Sequence, residues 1–188
     1  MTSYAPFPAA HLPEGHLVQW RRVDGDGLET VTLRWENEGF TVNGEVSHGR
    51  IQYVMRLSAT WQLRQFLLFR DLEDPDLWLA TDGSGRWGEM NGAHRTELDG
   101  AYDIAMRCTP FTHTLPIRRL PLLDGHTADL PVVLVDPETL EVRTTLHRYT
   151  RLDHRHWRHE ESEHGPEIEF EVDEFGLVLD LAPHFLRV

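Results

Sequence analysis

The sequence predicts an antiparallel all-β protein. Two observations carry that prediction. Apolar residues recur at every second position in several separate runs, which is the pattern of a strand with one buried face. Between the runs lie Gly- and Asp-rich turn signals, while no stretch of a dozen residues keeps a 3.6-residue period with helix caps.

Taken in chain order, residues 1–14 are rich in proline and are expected to be loosely ordered. Asp24-Gly25-Asp26-Gly27 is a turn, after which Val31, Leu33 and Trp35 alternate with Thr30, Thr32 and Arg34 in the first clear strand. Glu38-Gly39 marks a turn, and Thr41 to Val46 around Asn43-Gly44 reads as a two-residue hairpin. His48-Gly49 marks another turn, followed by Ile51, Tyr53, Met55 and Leu57 on one strand face. Trp61 to Phe69 fits a strand and a short helix within 61–73 equally well. Asp82-Gly83-Ser84-Gly85 is a turn, and Tyr102, Ile104, Met106 and Cys108 form the apolar face of a further strand. Residues 121–140 hold three prolines and the Asp124-Gly125 turn, yet Leu130-Pro131-Val132-Val133-Leu134-Val135 is too apolar for a solvated linker. Tyr149 to His159 reads as one polar strand. Ile168, Phe170 and Val172 form another, closed by Glu174-Phe175-Gly176.

An internal repeat accompanies these elements. Tyr53 and Trp61 are spaced like Tyr149 and Trp157, and each half later carries an apolar strand ending in Asp-x-x-Gly. A single domain 1–188 made of two similar halves, about 15–95 and 105–188, is the expectation.

Composition narrows the function. The net charge is −13, which disfavours nucleic acid and anionic membranes as general partners. Every basic residue is Arg, so Schiff-base chemistry on lysine is excluded. The lone Cys108 excludes an internal disulfide and a multi-cysteine metal site, and its apolar strand face makes it an inert core thiol. There is no signal-peptide pattern and no apolar stretch of about 20 residues, so a cytoplasmic protein without a membrane span is expected. Neither a GxSxG nor a dinucleotide- or phosphate-loop motif is present, and no cofactor is expected.

The densest polar constellation lies between 97 and 120. Asp99, Asp103 and Arg107 share one strand face with Ala101 and Ala105, and Thr112, His113, Thr114, Arg118 and Arg119 follow. Carboxylates and threonines suit sugar hydroxyls, and an Arg suits an anionic group. The alternative is a solvated, salt-bridged face. The aromatics, among them Tyr53, Trp61 and Trp87, could floor a site for acyl chains or sugar rings, or pack as ordinary core. His154 and His156 fall on one face of the polar strand and His159 on the other. A metal could bridge the pair, but Arg155 and Arg158 oppose a cation there, and no metal site is assigned. The acidic run 160–174 reads as a solvated face or as the partner of the arginines of 148–158.

One string is specific. Leu98-Asp99-Gly100 through Asp103, followed by Thr109-Pro110-Phe111-Thr112-His113-Thr114-Leu115-Pro116-Ile117-Arg118-Arg119-Leu120, resembles the signature of the bacterial "putative glycolipid-binding" family. Trp20 with Gly27-Leu28-Glu29, Tyr53, Trp61-x-x-Arg64, Asp82-Gly83-x-Gly85-x-Trp87 and Val172-Asp173 to Val178 extend the resemblance over about 17–187. The chain departs from the family pattern at Ala101, Ala105 and His113, where Cys, an acid and Asn are usual. The missing acid argues against a pair of catalytic carboxylates on this strand.

The resemblance implies a curved antiparallel sheet closing into a barrel-like roll, built by duplication and similar to periplasmic carriers of lipoproteins. It also implies a small amphiphilic ligand, such as a glycolipid, bound without catalysis in a groove or cavity. Acyl chains would lie near some of Tyr53, Trp61 and Trp87, with Arg64 a further candidate ligand residue, and the head group would meet Asp99, Asp103, Thr112, His113, Thr114 and one of Arg118 and Arg119, which point to opposite faces of any strand. The rival readings are an enzyme on a sugar or lipid head group with Asp99 or Asp103 as base, and a partner protein that dimerises through a strand edge. In a third, the Thr112–Leu120 string is purely structural, with Pro116 fixing a bend and the arginines holding backbone carbonyls.

Overall fold

The computed structural model describes residues 4–25, 27–46, 50–71, 73–161 and 166–188. The His48-Gly49 turn, Asp26 and part of the acidic run 160–174 lie outside the described residues. Among the described residues, thirteen strands form two sheets. The first contains β1 (His16–Arg22), β2 (Leu28–Glu36), β3 (Gly39–Val46), β4 (Ile51–Ser58), β5 (Leu63–Phe69), β6 (Leu77–Thr81), β7 (Trp87–Glu89) and the C-terminal β13 (Phe185–Arg187). It is antiparallel throughout, in the order β13-β1-β2-β3-β4-β5-β6-β7. The second contains β8 (Asp103–Ala105), β9 (Thr127–Val135), β10 (Val142–Arg151), β11 (His156–Glu161) and β12 (Glu167–Glu171), in the order β12-β11-β10-β9-β8.

The mostly β prediction holds, with three qualifications. The strands form two open sheets, and no ring of strand pairs closes into a barrel among the described residues. Strands β8 and β9 pair in parallel, because the chain crosses over through the short helix α1 (Thr114–Arg119) before returning. Finally, residues assigned to the second half by sequence return to the first sheet as β13. One continuous core joins the sheets, with Trp20, Val31, Leu33, Met55, Phe66 and Leu68 from the first packed with Ile104, Tyr149, Trp157 and Phe170 from the second.

Several local expectations are corrected. Asn43-Gly44 is not a hairpin turn but the middle of β3, paired with both β2 and β4. The glycine is there for space: a Cβ on Gly44 would lie 2.0 Å from the Tyr53 ring. The turn between β2 and β3 is instead Asn37-Glu38, both at positive φ (52° and 61°), as a two-residue hairpin requires. Trp61 to Phe69 resolves as a turn and a strand, not a helix. The run 102–108 is strand only over 103–105, and Tyr102 is exposed. Residues 149–159 are two strands joined by a turn, so His154 and His156 do not share a strand face.

The N-terminal segment is also more ordered than expected from residue 4 onward. Phe7 is fully buried, stacked on Phe175 at 5.1 Å and packed against Trp61 and Phe40. Burial of one aromatic side chain contributes enough to hold a short proline-rich arm against the body.

Candidate functional site

The inward face of β10 is polar. Thr145, His147, Tyr149 and Arg151 all point to the interior, and His159 of β11 joins them. His113, on the 3₁₀ turn Phe111–His113 just before α1, packs into the same space. The His159 Nε2 lies 3.0 Å from His147 Nδ1, and His113 Nδ1 lies 2.8 Å from the Tyr149 hydroxyl. The rings of His113 and His159 are 4.8 Å apart. Burial drives all three imidazoles towards the neutral form, His113 to about 3, His147 to about 4 and His159 to about 2.

His113, His147 and His159 line a cavity of about 250 Å³ between the sheets. Met106, Leu134, Ile168, Leu181 and Phe185 supply apolar walls, and Thr109 and Thr112 sit beside the histidines. Arg107 and Glu161, ion-paired to each other, stand at the rim, where the Arg107 side chain is 67% exposed. His147 is 3% exposed, and its Nε2 has no hydrogen-bond partner among the described residues. An orphaned buried nitrogen costs about 1–3 kcal/mol unless something meets it. The larger depression, about 720 Å³ over Thr30, Thr32, Asn43 and Gln52, lies on the solvent face of the first sheet and collects no such buried group. Among the described residues no cluster of three or more His, Cys, Asp or Glu has the arrangement to hold a metal ion.

Of the residues singled out from sequence, Thr112 and His113 line this cavity. The others are placed elsewhere, and most of them make structural contacts; the buried Thr114 hydroxyl has no hydrogen-bond partner among the described residues. Asp103 is buried and ion-paired with Arg119; burial raises its carboxyl above the ordinary value while Arg119 opposes the rise. Asp99 bonds the His94 ring at 2.9 Å, which holds it below the ordinary value. Thr114 is fully buried in α1. Arg118 packs its guanidinium over Trp61 at 4.5 Å and Phe7 at 4.8 Å, and donates to the carbonyls of Ala5 and Phe175. Arg118 therefore pins the N-terminal arm and the 173–176 turn, as the structural reading of the Thr112–Leu120 string expects. The expectation that Arg118 and Arg119 splay to opposite faces of a strand is corrected, since both lie on α1.

The aromatic floor disperses in the same way. Trp61 packs with Phe40 and Phe7, and Trp87 donates its indole N–H to the Ala101 carbonyl at 2.9 Å. Arg64 donates to the Asp82 carbonyl at 2.6 Å, closing the Asp82–Gly85 turn. Tyr53 donates its hydroxyl to Glu29 at 2.7 Å. Glu29 is 2% exposed, and burial pushes its carboxyl up to about 8, so it stays protonated at neutral pH. Burial also pushes Cys108 up to about 12, consistent with an inert thiol.

With the geometry in view, the comparisons with known proteins are informative. Residues 17–187 match the family described as "putative glycolipid-binding". The chain belongs to that family. A member of the DUF1089 family from Pseudomonas aeruginosa, solved by crystallography, superposes with a TM-score of 0.71 at 29% identity, covering 98% of this chain and 100% of that one. No curated protein gives a significant match. No helix among the described residues is long and apolar enough to cross a membrane.

For this member of the "putative glycolipid-binding" family, the sequence reading missed His147, His159 and Thr109 as cavity residues. A signal did exist. His147 and Tyr149 share a strand phase, and so do Trp157 and His159. The phase of Trp157 marks His159 as inward, because a Trp seldom faces water on both sides of its strand. Glu29 was missed in the same way, although it continues the inward phase of Val31 and Leu33.

Proposed function

We propose that this protein binds a small amphiphile without catalysis, taking one end of it into the cavity between the sheets. The observation that carries this reading is the combination of apolar walls with an unpartnered polar atom at depth, His147 Nε2. Binding sites combine apolar lining with a few placed polar groups. Thr112 and His113 are the family-string residues that would touch the ligand. The family description supports a binding role of this kind. The volume, about 250 Å³, admits one small segment of a ligand and not a whole glycolipid, so the rest of a larger molecule would remain outside, past Arg107 and Glu161.

A catalytic role for Asp99 or Asp103 has less support. Neither lines the cavity, and the buried one is neutralised by Arg119.

The test is native mass spectrometry of freshly purified protein with organic extraction, followed by calorimetric titration with octyl glucoside below its micelle concentration. The expected result is one saturable site, weakened at least tenfold by Ala105→Leu, which fills the cavity from β8. No adduct and no saturable binding would overturn the reading.

A further inference from the structure

We propose that the group reaching the depth of this cavity is an uncharged hydroxyl, and that the site selects alcohol-type heads against carboxylate, phosphate and ammonium heads. This rests on the reading that the cavity binds an amphiphile and narrows its ligand class.

Charge is the first argument. At the rim, Arg107 is matched by Glu161, so the pair offers no net charge to an anion or a cation. Deeper in, the polar groups are Thr109, Thr112 and the three imidazoles. Burial holds those imidazoles neutral well below the ordinary histidine range. The same desolvation acts on whatever enters. A space that refuses a proton to its own histidines penalises a ligand's ammonium for the same reason, and a carboxylate or phosphate would find no cation at depth to offset its lost hydration.

Hydrogen-bond capacity is the second argument. Between His159 Nε2 and His147 Nδ1, 3.0 Å apart, one ring donates and the other accepts. Whichever direction holds, His147 Nε2 takes the remaining role, as donor or as lone-pair acceptor. It is buried and unpartnered among the described residues. A hydroxyl both donates and accepts, so it satisfies this nitrogen in either tautomer. An ether or carbonyl oxygen can only accept, and an ammonium can only donate. A site built to pair a hydroxyl discriminates strongly against analogues that leave its polar atom bare.

The experiment is calorimetric titration of the full chain at pH 7.4 with matched eight-carbon ligands: 1-octanol, octyl glucoside, octanoate, octyl phosphate and octylamine. The inference expects 1-octanol to bind at least tenfold tighter than each charged ligand. His147→Phe should bring 1-octanol down to the level of the charged ligands. His147→Gln, which keeps a donor and an acceptor, should restore part of the difference, and near-UV circular dichroism checks that both variants remain folded. Octanoate, octyl phosphate or octylamine binding as tightly as 1-octanol would overturn the hydroxyl assignment while leaving the binding reading intact. An unchanged preference in a folded His147→Phe variant would overturn it too. If no ligand gives a saturable isotherm, the binding reading itself fails, and this inference with it.

Discussion

In the first sheet, the inward side chains include Val18, Trp20, Val31, Leu33, Val42, Met55, Phe66, Leu68 and Leu79. In β10 and β11 of the second they are Thr145, His147, Tyr149, Arg151, Trp157 and His159. Both sets are buried, yet only the first is mainly apolar, with Glu29 its buried polar exception. The first face supplies the transfer free energy that holds the fold, because nearly every buried atom on it leaves water without losing a hydrogen bond. The second must pair its polar groups, and where the pairing is incomplete, at His147, a cavity remains. The contrast teaches that a cavity can be placed inside a sandwich by making one of its two faces poorly suited to close packing.

That contrast can be broken most severely at the buried ion pair between Asp103 of the second sheet and Arg119 of α1. Asp103→Ala leaves Arg119 without its partner and should cost about 3–5 kcal/mol in urea unfolding. Leu33→Ala, in the apolar face, should cost about 2–5 kcal/mol with an unchanged denaturant slope. By comparison, His147→Phe removes one unpartnered nitrogen but leaves His159 Nε2 without its partner, and should cost about 1–3 kcal/mol. A larger cost at His147 than at Leu33 would erase the distinction between the faces.

The two faces should also respond to pH in opposite directions. The imidazoles of the second sheet are held below their unfolded value of 6.5, so the unfolded chain binds more protons than the folded one as pH falls. Their contribution is full above about 6.5 and is lost progressively as pH drops through about 4. Each such group adds a slope of up to about 1.4 kcal/mol per pH unit. Urea midpoints at pH 7, 6 and 5 should fall in series, less steeply in His159→Phe. Glu29, on the first sheet, is the reverse case, raised from 4.5 to about 8. Its contribution is full below about 4.5 and is lost as pH rises through about 8, so Glu29→Gln should gain stability over wild type at pH 8 and show no gain at pH 4.5. Equal offsets at both pH values would assign the effect to packing. Smallest of all, Arg64→Ala should change stability by less than about 0.5 kcal/mol and leave ligand titrations unchanged, because Arg64 only closes an exposed turn.

Much of the fold was legible because a strand's side-chain period is local. The phases of 31–35, 51–57 and 168–172 each place the correct residues inside. The site was less legible. In β10, Thr145, His147 and Tyr149 alternate with Leu146, Arg148 and Thr150, so polarity does not say which set faces in. Thr112 and His113 were found through the family string, but Asp99, Arg118 and Arg119 in the same string turned out to brace neighbouring segments.

By itself, then, the sequence determined the strand-rich class, most of the turns, the partial burial of Cys108 and the family. All of these follow from residue identity within a few positions or from one contiguous motif. The tertiary structure alone decided that Asn43-Gly44 runs straight beneath Tyr53, that β8 and β9 pair in parallel, and that three histidines from distant segments meet. Those outcomes depend on contacts between residues tens of positions apart, and a local period carries no information about which face another sheet will cover.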